Sequence, residues 1–146
     1  MAATAVDSSV IVAGLLSWHE AHPASLRALQ DSIAAGPLVL PLSALIESYA
    51  VMTRLPAPHR LSPDDAAELL SSSLRPHARV AGLRVARSWA FLGTLVGERV
   101  AGGSTYDRRI LEEARAGAAE RLLTLDPADF ERFGNEPPAI VAPGRS

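Results

Sequence analysis

The sequence predicts a single α/β domain with a mainly parallel sheet covered by helices on both faces. Three observations carry this expectation. Short apolar runs of strand length alternate along the chain with segments of helical periodicity, the pattern of successive strand–helix units. The chain has 146 residues, 48% hydrophobic and 21% charged, which lets one core bury roughly two thirds of the surface exposed by the unfolded form. It contains no cysteine, so neither a disulfide framework nor a thiolate-held zinc takes the place of that core.

Each element has its own local cause. Residues 2–6 form a short apolar strand that ends at Asp7-Ser8-Ser9, a helix-start signal ahead of a helix over 10–16. Leu26, Leu29 and Ile33 fall at helical spacing within 23–35. Gly36-Pro37 breaks the chain before a buried strand over 38–42 that carries Pro41 inside it. Ser43 opens a helix running to Arg54, and Pro56 and Pro58 make a loop. Ser62-Pro63-Asp64-Asp65 combines a cap, a proline at the first helical position and acids on the dipole, starting a helix that ends near Leu74. A short strand over 79–83 follows, and helical patterning resumes at Ser88 and runs to Gly102-Gly103. Ser104 or Thr105 caps a helix to Ala116, with Gly117 as its stop. A strand over 121–125, a helical turn from Asp126-Pro127 and a last strand over 138–141 complete the domain, which spans 1–141 with a loose tail at 142–146.

Charge and composition exclude several function classes. Sixteen acids against fourteen bases leave a formal charge of −2, so no overall basic field advertises nucleic acid. Every base is arginine, which excludes a phosphate-loop lysine, a Schiff-base lysine and a phosphoreceiver site. No apolar stretch reaches the roughly 20 residues needed to cross a membrane. The N-terminus lacks a basic leader and reads directly into a structured segment, predicting a cytoplasmic protein.

Most charged residues read as surface. Arg108, Arg109, Glu112, Glu113 and Arg115 share one side of the helix over 104–116, the pattern of a solvated face. Four acids do not fit that description. Asp7 and Asp126 each follow an apolar strand and precede a helix, which in a parallel sheet is the carboxyl edge where ligands bind; the plain alternative is that both are helix N-caps. Glu47 lies among Ser43, Ala44, Ala50 and Val51, and Asp107 shares its stripe with Ile110, Leu111 and Ala114. Each carboxylate therefore sits on the apolar side of its helix, where it must neutralise, find a base or bind a metal. For Asp107 the alternative is a capping box with Ser104, which explains the spacing but not the apolar side. Four carboxylates converging on one sheet edge would repel unless cations neutralise them. An all-oxygen ligand set suits Mg²⁺ or Mn²⁺, ions that activate water and clamp phosphate oxygens in phosphodiester hydrolysis.

Val6-Asp7-Ser8-Ser9, Glu47 on the helix after the second strand, Ser104-Thr105-Tyr106-Asp107, and the run from Leu122 through Thr124, Asp126 and Asp129 to Phe130 occur in one order. Together they resemble the PIN domain, specifically the VapC-type ribonuclease toxins of toxin–antitoxin operons, over nearly the whole chain. The resemblance implies a three-layer α/β/α fold, a Mg²⁺-dependent endoribonuclease and a cognate antitoxin. It also implies that Asp7, Glu47, Asp107 and Asp126 are the catalytic, metal-holding acids, with Asp7 and Asp107 foremost. Thr124 matches the hydroxyl residue before the fourth acid, Ser9 orients Asp7 or a bound water, and Asp129 is structural or supporting. Gly102-Gly103 before the third acid departs from the family pattern only in loop shape.

Two rivals remain open at this point. A non-catalytic PIN-like interaction module would be favoured by loss of one of the four acids, and none is lost. A phosphatase-like hydrolase would carry a second acid two residues after Asp7, where Ser9 stands, and a lysine. Weaker features read blandly. His19 and His22 are polar surface more readily than a metal pair, and Trp18, Trp89 and Phe91 belong to the core or a homodimer interface rather than to base stacking. Arg75, Arg79, Arg84 and Arg87 fall in an acid-free stretch that suits RNA phosphates, an antitoxin or solvent equally.

Overall fold

A computed structural model describes residues 3–144. The element order is β1 (Thr4–Val6), α1 (Ser8–Leu15), α2 (His22–Ala35), β2 (Leu38–Pro41), α3 (Leu42–Arg54), α4 (Pro63–Leu74), β3 (Ala78–Ala81), α5 (Ser88–Gly97), α6 (Ser104–Ala116), β4 (Arg121–Leu123), α7 (Ala128–Glu131) and β5 (Ala139–Val141). Ala2, expected at the start of the first strand, and residues 145–146 of the expected tail lie outside the described residues. No helix among the described residues is long and apolar enough to cross a membrane.

The five strands form one sheet in the order β3-β2-β1-β4-β5, with every neighbouring pair parallel. Helices flank it in an α/β/α arrangement, as the sequence predicts. The three central strands are apolar because they are covered on both faces: Ala5, Val6, Leu38, Val39, Leu40 and Leu122 are buried. From β1 the chain builds outward through β2 and β3, then crosses back to β4 on the other flank. The carboxyl ends of β1 and β4 therefore make a topological switch point, where an open α/β sheet leaves a crevice.

Three expectations need correction. Helical structure after Ser88 stops at Gly97 rather than at Gly102-Gly103. The second concerns Gly117, which does not end α6 through a left-handed backbone: its φ is −84°, and the left-handed residue is Ala118 with φ +58°. Gly117 is small for another reason. A Cβ there would run into Val39 Cγ1 and stand 3.0 Å from Ala81 Cβ, so glycine is what lets the end of α6 lie on β2 and β3.

The third correction concerns the supposed solvated face of α6. Arg109 is exposed, but Arg108 and Glu113 are buried. Glu113 Oε1 accepts from the backbone N–H of Ser43 at 3.0 Å, and Oε2 from that of Leu83 at 3.4 Å. The first turn of α3 has free N–H groups, and Pro41 at its cap position gives no side-chain hydrogen bond; Glu113 supplies the missing anion from a different helix. Arg108 donates from Nε and Nη2 to Glu98, at 2.8 and 3.1 Å, and from Nη1 to Glu112 at 3.0 Å. Its guanidinium also lies over the Phe91 ring, 5.8 Å from the centroid, which ties α5 to α6. Of the three aromatics expected in the core or at a homodimer interface, Phe91 is buried, and Trp89 on α5 is 85% exposed.

Exchanging the two residues at the end of α6 tests this account. Gly117→Ala is expected to lower unfolding free energy by about 1–3 kcal/mol through overpacking against Val39. Ala118→Gly is expected to raise it by up to about 1 kcal/mol by relieving a left-handed alanine. Urea denaturation of both variants checks the opposite signs.

Candidate active site

The parallel register of β1 and β4 pairs Val6 with Leu123, and the Asp7 N–H donates to the Leu123 carbonyl at 2.9 Å. The residues that follow these two strands, Asp7 and Thr124, therefore emerge side by side at the switch point. Thr124 Oγ1 donates to Asp7 Oδ2 at 2.8 Å, and Ser9 Oγ donates to the same oxygen at 3.0 Å. The Ser8 N–H donates to Oδ1 at 2.8 Å, so Asp7 is the N-cap of α1 as well as a residue of the cleft. Thr124 and Ser9 extend the network, accepting from the N–H groups of Asp126 and Leu125, both at 3.0 Å. Those bonds hold the turn that presents Asp126.

Burial pushes the Asp7 carboxyl above its ordinary proton affinity, while the hydrogen bonds from Thr124, Ser9 and Ser8 pull the other way; burial wins.

α3 brings Glu47 from the other side, its carboxylate in close hydrogen bond with the Ser8 hydroxyl. Ser8 thus links the first and second acids, a role sequence reasoning missed although it stands inside the first motif. α6 brings Asp107 on its first turn. The capping box does not form: Gly103 is the N-cap without a side-chain bond, and Ser104 Oγ accepts from Arg132 instead. Asp107 is pushed up to about 6, first by burial and then by the charges of Asp7, Asp129, Glu47 and Asp126. Asp126 caps nothing either, since Pro127 holds the cap position of α7.

Asp7, Ser8, Ser9, Glu47, Asp107 and Asp126 line one open cleft of about 610 Å³. Asp129, which the sequence places in a supporting role, lines it too, and so do His19 and Glu20 from the α1–α2 turn. His22 does not join them; its Nδ1 bonds the Ala13 carbonyl oxygen at 2.9 Å. None of Arg75, Arg79, Arg84 and Arg87 lines the cleft, and Arg79 donates instead to the Gly117 carbonyl at 3.1 Å. Trp18 is not in the core: it is 45% exposed and stacks on His59.

No protein-family model matches the chain. Two curated relatives from Mycobacterium tuberculosis do. Ribonuclease VapC40 is 36% identical over 137 residues, covering 88% of this chain and 90% of the relative. Ribonuclease VapC27 is 32% identical over 136 residues, covering 89% and 91%. Among solved structures, the crystal structure of Mycobacterium tuberculosis VapC20, a sarcin-ricin-loop-cleaving toxin, superposes with a TM-score of 0.61. That match spans 82% of this chain and 87% of the other at 16% identity, and so speaks for the fold.

Two measurements probe the electrostatics and the scaffold. Asp107 with its proton affinity raised to about 6 holds a proton in the folded chain that the unfolded chain releases near pH 4. Folded protein binding more protons than unfolded means that stability falls as pH rises from about 4 to about 6, and the upward shift of Asp7 acts in the same direction. The difference in melting temperature between Asp107→Asn and the parent, measured in EDTA, should therefore grow in the variant's favour across that window. A constant difference would contradict the raised proton affinity of Asp107. Thr124 is fully buried, so Thr124→Val, which keeps the shape and removes the hydroxyl, should cost about 1–3 kcal/mol in denaturant titration.

Proposed function

The chain belongs to the VapC family of ribonucleases, and on that premise we propose that it is the endoribonuclease toxin of a toxin–antitoxin pair, working through Mg²⁺ held in the acid cleft. The observation that carries this reading is the convergence of Asp7, Glu47, Asp107 and Asp126, from four separate elements, on one cleft at the switch point of the sheet. The donors are carboxylate oxygens, the chemistry that Mg²⁺ and Mn²⁺ select. Their mutual repulsion, felt most at Asp107, is what a divalent cation would relieve. Among the described residues no three such side chains stand close enough to hold an ion as they are, so binding would draw them together. Asp7, Glu47, Asp107 and Asp126 would be the residues that hold it. When bound, the ion would polarise a phosphate oxygen and lower the pKa of an attacking water.

The chain's own contribution is placement. Ser8, Ser9 and Thr124 fix both oxygens of Asp7, and Ser8 restrains Glu47, so two of the acids are oriented before substrate arrives. Hydrolysis joins a water oxygen to phosphorus and breaks the bond to the 3′ oxygen, which takes up the water proton. The products are a 5′-phosphate and a 3′-hydroxyl.

A cytoplasmic nuclease of this kind requires a restraint, and the reading includes a cognate antitoxin. An antitoxin arginine can enter the carboxylate cleft with charge-assisted hydrogen bonds. Its amphipathic helix finds apolar surface on α3, where Leu42 and Ile46 are 40% and 59% exposed. The reading also includes a homodimer, for which Trp89, Leu92 and Val96 on α5 offer exposed apolar side chains.

Purified protein incubated with RNA is expected to cleave it with Mg²⁺ and not with EDTA. Asp107→Asn should stay folded and lose cleavage by at least about 100-fold, the amide being a poorer ligand, and Glu47→Gln should lose it to a similar or smaller degree. Cleavage by Asp107→Asn at the parent rate would remove the metal-site assignment. Co-expression with the neighbouring small open reading frame should yield a complex without ribonuclease activity. Failure to co-purify a partner, together with harmless expression of the chain alone, would leave a nuclease but not a toxin.

A further inference from the structure

Beside the acid cleft, next to the lining residue His19, two loops bring aromatic rings together at the surface. Trp18 stands in the turn between α1 and α2, and His59 in the loop between α3 and α4. Their rings stack with centroids 4.1 Å apart and planes 22° from parallel. His19 lies beside them, its ring 5.8 Å from Trp18 and inclined at 35°, and it is His19 that lines the cleft together with Asp7, Glu47 and Asp107. Trp18 is 45% exposed although one face lies on His59, and His59 is itself exposed. A tryptophan contributes to folding by leaving water; this one stays at the surface and orders a second ring beside it.

The hydrogen bonding of the wall is also one-sided. His19 Nδ1 accepts from the Ala21 N–H at 3.0 Å, so the proton of the neutral ring sits on Nε2, which remains a free donor. Next to His59, Arg60 is exposed, and its Nε is tied to the Leu55 carbonyl oxygen at 2.8 Å. That bond leaves the two terminal guanidinium nitrogens for other partners. Aromatic faces, a ring N–H donor and an arginine stand together beside a cleft lined by carboxylates.

We infer that Trp18, His19 and His59 form a nucleobase-stacking subsite that positions an unpaired nucleotide next to the scissile phosphate. The inference rests on the ribonuclease reading above and adds to it where the strand lies. A base whose faces are free continues the ring stack, whereas a paired base has both faces occupied by its neighbours. Stacking is tolerant of base identity, so this subsite selects an unstacked strand rather than a sequence. His19 Nε2 donates to a phosphate or base oxygen there, and Arg60 meets the backbone leaving the rim. A cation held in the cleft, together with Arg60, would offset the repulsion between the acids and the phosphate. Trp18 and His59 are positioning residues: they hold the strand and leave the bond-breaking groups unchanged.

The test separates this inference from the activity it rests on. The chain has two tryptophans, so Trp89→Phe leaves Trp18 as the sole indole reporter, and adding Asp107→Asn removes a metal-holding acid and keeps the strand intact. Titrating that protein in Mg²⁺ with a short oligouridylate should quench Trp18 emission saturably, while the same strand annealed to its complement should not. In the otherwise unchanged chain, Trp18→Ala should raise KM for single-stranded RNA about tenfold with kcat nearly constant. Trp18→Phe, which keeps an aromatic face, should recover most of that loss. Oligouridylate binding by fluorescence anisotropy with unchanged Trp18 emission would overturn the subsite and leave the ribonuclease reading standing. Quenching by the duplex equal to that by the single strand would overturn it as well. Neither binding nor cleavage of any RNA would overturn both.

Discussion

The register between β1 and β4 is the constraint on which the rest of the molecule depends. Because Val6 faces Leu123 in a parallel ladder, two residues more than a hundred positions apart leave the sheet together, and Thr124 can place its hydroxyl on the Asp7 carboxylate. A slip of this ladder by one residue would carry the Thr124 hydroxyl a strand position away from the Asp7 carboxylate and break the bond between them. The apolar burial of the central strands, which fixes the register, therefore also fixes the chemistry at their ends. Fold and site share one determinant.

Asp7 illustrates how a single group serves both. It satisfies the first turn of α1, and its burial raises its proton affinity against the pull of three donors. A carboxylate serving only as a cap would gain from solvent exposure. This one is drawn inside, within the electrostatic reach of Glu47 and Asp107. The repulsion among like charges in the cleft is set against the hydrogen bonds of Ser8, Ser9 and Thr124, which hold the group in place.

How much of this was legible in the sequence follows from what each signal measures. Apolar runs alternating with helical spacing gave the parallel architecture, and acids following strands gave Asp7 and Asp126. The apolar stripes around Glu47 and Asp107 pointed them correctly toward a cleft. The same reasoning failed on Glu113 and Arg108, because periodicity sorts residues by polarity and cannot see the end of another helix that needs an anion, or an aromatic ring that covers a guanidinium. At Gly117 the sequence signals backbone freedom, whereas the missing Cβ is what matters, and only the packing of α6 on β2 shows the difference. The rim of Trp18, His19 and His59 was invisible because its parts belong to two loops some forty positions apart, and no spacing rule connects loops.

The buried grip of Glu113 on the start of α3 has a mechanical consequence. α3 carries Glu47 and α6 carries Asp107, and the carboxylate that joins them sits at the far end of α6 from Asp107 and within one turn of Glu47. The two helices are thereby fastened like the arms of a bracket, with the hydrogen bond as the rivet. The backbones under Glu47 and Asp107 are held at a set spacing by a buried contact, and drawing the acids together falls to their side chains.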